Sequence, residues 1–215
     1  MNENTELYPK MFTWLFIGLL ITFASGYALS MNEDMMLQVL SIGILPIAIV
    51  EIVIALVLGI RIQKMNPITT KILYVVYSVI TGITFSSIFV VFEMESLISI
   101  FITTAIIFAL LAFYGYTTKR DLTKLGTIIF IGLIGIIIGS LLNMFLFKSA
   151  AMDTGLAIIG VLIFVGYIAY DVNKIKDMVP FVGEEKAAVY GAFQLYFDFI
   201  NLFIRLLQLF GKRND

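Results

Sequence analysis

Two aspartates in the C-terminal third of the chain are the residues best placed to do chemistry. Asp171 stands in Gly166-Tyr167-Ile168-Ala169-Tyr170-Asp171-Val172-Asn173-Lys174, and Asp198 in Leu195-Tyr196-Phe197-Asp198-Phe199-Ile200-Asn201. Both interrupt apolar runs. The chain has no histidine and no cysteine. That removes imidazole bases, Ser–His couples, thiolate metal sites and disulfides. A proton-linked response near neutral pH must then come from carboxyl groups in unusual surroundings or from the N-terminal amine.

If the two runs form an antiparallel helical hairpin, residues equidistant from its turn lie at equal depth. The midpoint of 171 and 198 falls between Glu184 and Glu185, inside the turn Gly183-Glu184-Glu185-Lys186. Carboxyl groups held abreast away from water cannot both ionise cheaply, so they hold one proton and titrate as a unit. The competing reading is structural: Asp171 pairs with Lys174 at i+3, and Asp198 with a cation on another helix.

Further polar residues share a face with Asp198. Gln194, Asp198, Asn201, Arg205 and Gln208 are spaced by four, three, four and three residues, a single stripe along a helix. Arg61 is either a counter-charge for the aspartates or an ordinary basic flank of its helix. Glu51, ten residues earlier, faces a cavity or a helix neighbour such as Asn143 or Arg205. Gly132, Gly135 and Gly139 read as close helix packing of the small-xxx-small type.

The elements that must position these residues are membrane helices. Of 215 residues, 60% are hydrophobic and 13% charged, whereas a soluble domain has about 45–50% and about 25%. A membrane-crossing helix needs roughly 20 apolar residues. Seven segments qualify, at 11–29, 36–60, 72–92, 96–116, 126–147, 155–175 and 188–210. The expected fold is therefore all-α, an integral membrane protein with a single polytopic domain over 1–215. In lipid the Gly- and Ile-rich fifth segment must be a helix, because its backbone groups need internal partners. A net charge of −1 gives no basic surface for nucleic acid.

Positive charge sets the orientation. Ten of the 14 Lys and Arg fall on the N-terminus and alternate links: Lys10, Arg61, Lys64, Lys71, Lys119, Arg120, Lys124, Lys174, Lys176 and Lys186. The other side holds Lys148, Lys212 and Arg213. This predicts a multi-pass protein of the inner (plasma) membrane with a cytoplasmic N-terminus and, if all seven segments cross, a C-terminus outside. A re-entrant last segment is the alternative, since Lys212 and Arg213 favour the cytoplasm. The first segment is longer than the 7–15 apolar residues of a signal peptide and lacks a small-x-small cleavage site.

The last segment also needs company. Thirteen Leu, Ile, Phe and Val residues from Val189 to Phe210 contribute about −4 to −8 kcal/mol to insertion, and Asp198 with Arg205 takes back about 5–7 kcal/mol. It is expected to be enclosed by the other helices, its polar stripe facing them or a water-filled space.

Three blocks carry a resemblance. They are Thr103-Thr104-Ala105-Ile106-Ile107-Phe108 through Tyr114-Gly115-Tyr116-Thr117-Thr118-Lys119-Arg120-Asp121-Leu122, then Ala169-Tyr170-Asp171-Val172-Asn173-Lys174-Ile175, and finally Leu195 to Phe203. In order and spacing they resemble the Bax-inhibitor (transmembrane Bax-inhibitor-motif) family, bacterial members above all. The resemblance implies seven spans in which two three-helix layers wrap a central C-terminal helix. It also implies a pH-sensitive calcium leak channel gated by an aspartate pair matching Asp171 and Asp198. An arginine that engages the pair in the closed state is best matched by Arg61. Calcium, which accepts irregular sets of oxygen ligands, would meet Asp171 and Asp198 as a permeant ion. The lipid bilayer, calcium and protons are the partners expected; no other cofactor and no enzymatic activity is.

Rival functions use the same charges. A proton-coupled small-solute transporter is chemically possible. An intramembrane aspartyl protease also has two aspartates on successive helices, the first after a tyrosine, as in Tyr170-Asp171. The bulky Leu195, Tyr196 and Phe197 stand where such enzymes place small residues, and no Pro-Ala-Leu motif follows. A non-conducting membrane adaptor is the remaining reading.

Overall fold

The computed structural model describes residues 6–214. In order the helices are α1 Leu7–Ser30, α2 Glu33–Ile42, α3 Ile44–Arg61, α4 Pro67–Val91, α5 Met94–Thr117, α6 Thr123–Leu142, α7 Ala150–Lys174, α8 Val179–Val182 and α9 Glu184–Phe210. Short helical turns follow α3 and α7, and a π-helical turn, Asn143–Phe147, extends α6. Among the described residues, seven helical stretches are long and apolar enough to cross a membrane. The protein is an all-α membrane protein.

Helices begin before the apolar limits read from sequence, Pro67 against 72 and Ala150 against 155. The added first turns carry polar residues, Thr69, Thr70 and Lys71 in α4 and Asp153 and Thr154 in α7, which a hydropathy limit leaves out. Asn66 caps α4 by accepting from the Thr69 N–H at 2.8 Å, with Pro67 in the first turn.

The second span differs more. The expected 36–60 helix is broken at Gly43, whose φ of +81° and ψ of 159° suit only glycine. α2, capped by Asn32 through the Met35 N–H at 3.0 Å, has ten residues and is about 15 Å long, half a bilayer core. The crossing stretch is Pro46–Lys64. Hydropathy runs through the break unaltered, and only Gly43 followed by Pro46 marks it.

The chain forms two compact units. The first takes in the described parts of Met1–Glu93, Ile175–Tyr196 and Arg213–Asp215. Here α1 lies along α4, and α3 packs on α4 as well. Aromatic rings fill the centre: Tyr74 and Tyr77 meet Tyr196 edge-on at 5.9 and 5.8 Å, and Tyr77 meets Phe193 at 5.2 Å. The hydroxyls of Tyr74 and Tyr196 find partners within the protein, as polar groups must in lipid. The Tyr74 hydroxyl donates to the Trp14 carbonyl at 2.9 Å, while Thr22 donates to the Ser78 carbonyl and shares a 2.5 Å hydrogen bond with the Tyr196 hydroxyl.

One end of this unit gathers charge. Lys10 pairs with Glu6 at 2.5 Å and Glu184 at 2.9 Å, and Lys71 pairs with Glu185. The Lys10 ammonium beside Glu6 holds that carboxyl below its ordinary range. Lys186 donates to three carbonyls, those of Ile62, Gln63 and Met65, at 3.4, 3.2 and 3.1 Å. It thus closes the end of α3 that carries Arg61. Lys186→Met should free this turn. At about 1.5 kcal/mol for a hydrogen bond to a charged group, amide exchange around Met65 rises roughly tenfold, which mass-detected hydrogen exchange would read.

The second unit takes in Met94–Lys174 and Phe197–Lys212. α7 packs on both α5 and α6. Ile129, Ile136 and Ile163 form a buried cluster, while Phe199 meets Phe101 and Phe108 at 5.4 and 5.6 Å. Gly132 and Gly139 are close-packing positions as expected, since a Cβ there would stand 2.7 Å from Ile163 and 2.9 Å from Leu156. Gly135 faces open space and is not one.

The final helix is enclosed. Its apolar window is 72% buried, against 11–44% in the other spans. With 27 residues it is about 40 Å long, more than the roughly 30 Å hydrocarbon core. The residues after it reach the turn between α4 and α5. Asn214 donates to the carbonyls of Val91 at 3.0 Å and Val90 at 2.8 Å, and the Lys212 N–H donates to Ser96 at 3.0 Å. That turn lies one crossing beyond the end of α3. α9 thus starts beside the Lys71 end of α4, and the residues after it lie at the other end of α4.

Candidate functional site

Asp171 projects from the last turn of α7 and Asp198 from the middle of α9, both within the second unit. They are 8% and 3% exposed. Their carboxyl groups face each other within hydrogen-bonding range. The Oδ2 atom of Asp198 is buried and, among the described residues, receives no hydrogen bond. Carboxyl groups in contact without a cation or an N–H donor are stable when a proton lies between them. Tyr167, one turn before Asp171, lies within electrostatic reach of both.

The neighbours of Asp171 fix its helix. The Asn173 amide donates to the carbonyls of Gly115 at 3.2 Å and Thr118 at 3.4 Å, tying α7 to the end of α5. Lys174, read from sequence as a partner for Asp171, bonds Asp121 instead at 3.0 Å. Its long chain reaches outward to the exposed α5–α6 link rather than back along its own helix.

Asp121 also accepts from the Thr123 hydroxyl at 2.6 Å and backbone N–H at 3.0 Å. These bonds, with Lys174, hold its carboxyl well below the usual range. A depressed carboxyl stabilises the fold above its ordinary pKa and loses that contribution as pH falls through the lowered value. The change therefore lies in strong acid. Asp121→Asn should leave any response to pH near neutrality unaltered, and the activity profile of this variant against pH is the measurement.

The remaining stripe residues separate. Gln194 is half-buried on the part of α9 that belongs to the first unit. Asn201 donates to its own helix at the Phe197 carbonyl, 2.8 Å. Arg205 donates to Gln208 at 3.0 Å, feels Asp153 and crosses α7 over Gly160, where a Cβ would stand 3.0 Å from its Nε. All five lie on the unbroken helix α9, Gln194 in its first-unit part and the other four in its second-unit part. Arg61 is exposed at the end of α3, in the first unit.

Within its own unit Glu51 is half-buried and turns toward Thr81 and Thr84 of α4. Within the second unit Asn143 is engaged with Asp153 at 2.6 Å and with both backbone groups of Ser149. Sequence reading missed Asn173, Gly115, Thr81 and Thr84. Asn173 and Gly115 lie in the blocks that carry the family resemblance, and Tyr167 stands four residues before Asp171; Thr81 and Thr84 carried no signal.

The fold and site define a polytopic α-helical membrane protein with a carboxyl pair buried between helices. Its sequence from residue 5 to 215 matches the family model for the inhibitor of apoptosis-promoting Bax1, and the chain belongs to that family. It is 40% identical to the inner membrane protein YbhL of Escherichia coli K12 over 95% of this chain and 90% of YbhL. A Borreliella burgdorferi protein is 39% identical over 99% of this chain and 94% of its own. A Deinococcus radiodurans protein is 31% identical over 100% and 94%.

Proposed function

We propose that the chain is a pH-sensitive calcium leak channel of the inner membrane, gated by protonation of the Asp171–Asp198 pair. The observation that carries this reading is the contact between two buried carboxyl groups, one with an oxygen that no donor among the described residues satisfies. With one proton the pair bears a single negative charge. Losing it leaves two carboxylates, which repel and attract a cation. Arg61 is the proposed counter-charge that then locks the closed state, so regaining that proton releases it and flux rises as pH falls.

Calcium suits the same oxygens without being trapped. Two carboxyl groups supply at most four oxygen ligands, short of the 6–8 that calcium takes. Such a site holds an ion in passing. The proposed orientation places the N-terminus in the cytoplasm, where the Lys10, Lys71 and Lys186 contacts cluster, and the C-terminus outside beside the α4–α5 turn.

The test is calcium flux in liposomes containing the full chain, measured against pH. Flux that rises as pH falls is expected. Absent or pH-independent flux overturns the proposal; saturable uptake of an organic solute would point to a transporter, and cleavage of a transmembrane reporter peptide to a protease. Against the protease, Tyr196 and Phe199 are buried beside Asp198 in sequence, leaving bulk where a substrate strand must approach.

A further inference from the structure

The interface of α3 and α4, within the first unit, holds polar groups that the carboxyl pair does not use. Tyr77, Thr81 and Thr84 follow at intervals of four and three residues on α4, one face of that helix. Several other hydroxyls in the spans return to their own helix: Ser25 to the Ile21 carbonyl at 2.6 Å, Ser78 to Tyr74 at 3.0 Å, Ser86 to Ile83 at 2.6 Å, Thr104 to Ile100 at 2.7 Å. Thr81 and Thr84 do not. Their Oγ1 atoms are buried and have no hydrogen-bond partner among the described residues, and Thr81 is only 5% exposed. Both hydroxyls are turned toward the carboxyl of Glu51, and that of Thr81 also toward the phenols of Tyr77 and Tyr196.

The groups facing Glu51 are these two hydroxyls and, at longer reach, the phenols of Tyr77 from α4 and Tyr196 from α9. The Tyr196 hydroxyl is already bonded to Thr22. Within the unit, no Lys or Arg among the described residues forms an ion pair with Glu51. Glu51 lies ten residues before Arg61 on one helix, so it sits about 15 Å from that helix end, near mid-bilayer. A carboxylate at that depth needs a proton or a cation.

We propose that Glu51, Thr81 and Thr84 form a site for one dehydrated sodium ion, taken up in exchange for a proton. All the donors are oxygens, the hard ligands that sodium accepts. Charge selects the valence: one carboxylate with neutral hydroxyls is neutralised by a monovalent ion, whereas calcium would leave an uncompensated positive charge in lipid. The single strong carboxylate among few ligands favours sodium over the larger potassium. Two hydroxyls that forgo their helix carbonyls and turn toward one carboxyl are what an ion between α3 and α4 would require. The site is independent of any role of the Asp171–Asp198 pair.

The probe is dicyclohexylcarbodiimide, which attacks protonated carboxyl groups in apolar surroundings. Modification of Glu51 in the full chain in liposomes is followed by peptide mass mapping, with choline matching ionic strength. Glu51 should react, and sodium at ten times its dissociation constant should slow the reaction about tenfold. Potassium should protect far less, and Thr81→Val with Thr84→Val should abolish protection while Glu51 stays reactive. An unreactive Glu51, or sodium no better than choline or potassium, overturns the proposal, as does protection that survives in the double variant. Should that variant elute as aggregate, Thr84→Val alone must weaken protection, and the wild-type comparison decides by itself.

Discussion

Asp171→Asn and Asp198→Asn should each hold calcium flux at a nearly constant level across the pH range over which the wild-type protein changes. A site that gains or loses one proton alters its occupancy by at most about tenfold per pH unit, and that slope is what each variant should lose. Asparagine matches aspartate in volume and can still hydrogen-bond to the remaining carboxyl, so the helices keep their packing. What it cannot do is exchange the proton. Because the amide is neutral, either variant resembles the protonated pair, and flux should stay near the acid-side level. Arg61→Ala should raise flux only on the alkaline side, where two carboxylates would otherwise draw the guanidinium. An unchanged Arg61→Ala profile would reduce Arg61 to a basic flank of α3 and leave the pair intact. If both asparagine variants follow the wild-type profile, the pair has no part in gating.

The pair was legible because membrane helices are stiff and their links short. In an antiparallel hairpin, depth follows from counting away from the turn, and the count from Glu184 and Glu185 put Asp171 and Asp198 abreast. The 3₁₀ turn and α8 between α7 and α9 add chain near the surface without upsetting that symmetry. Enclosure of α9 was legible for an energetic reason, since Asp198 and Arg205 make its insertion marginal. The break at Gly43 was not, because hydropathy averages over the backbone torsion that ends α2. The surroundings of Glu51 were equally silent: Thr81 and Thr84 look like ordinary threonines until their rotamers are known. The stripe on α9 was legible as spacing but not as individual contacts. Its spacing is real, yet Asn201 satisfies its amide on its own helix while Asp198 alone meets the other carboxyl.

Gly115→Ala should be among the most damaging single-methyl changes in the second unit. A Cβ on Gly115 would overlap the carbonyl oxygen of Ala169 and stand 3.0 Å from its Cα. These are backbone atoms two residues from Asp171, and no side-chain rotation can relieve the clash. α5 and α7 would have to part, stretching the hydrogen bonds from Asn173 to Gly115 and Thr118 and shifting the turn that carries Asp171. Overpacking of this kind costs about 1–3 kcal/mol, so the melting temperature in detergent should fall by several degrees and the pH profile of flux should shift with it. Gly135→Ala supplies the comparison, because a Cβ there meets nothing within 4 Å. Alanine also favours the helix over glycine by up to about 1 kcal/mol, so that variant should melt no lower than the wild type. Equal losses in the two variants would mean that the approach of α5 to α7 is not what Gly115 provides. A loss confined to Gly115→Ala would tie the position of Asp171 to a contact made of backbone alone.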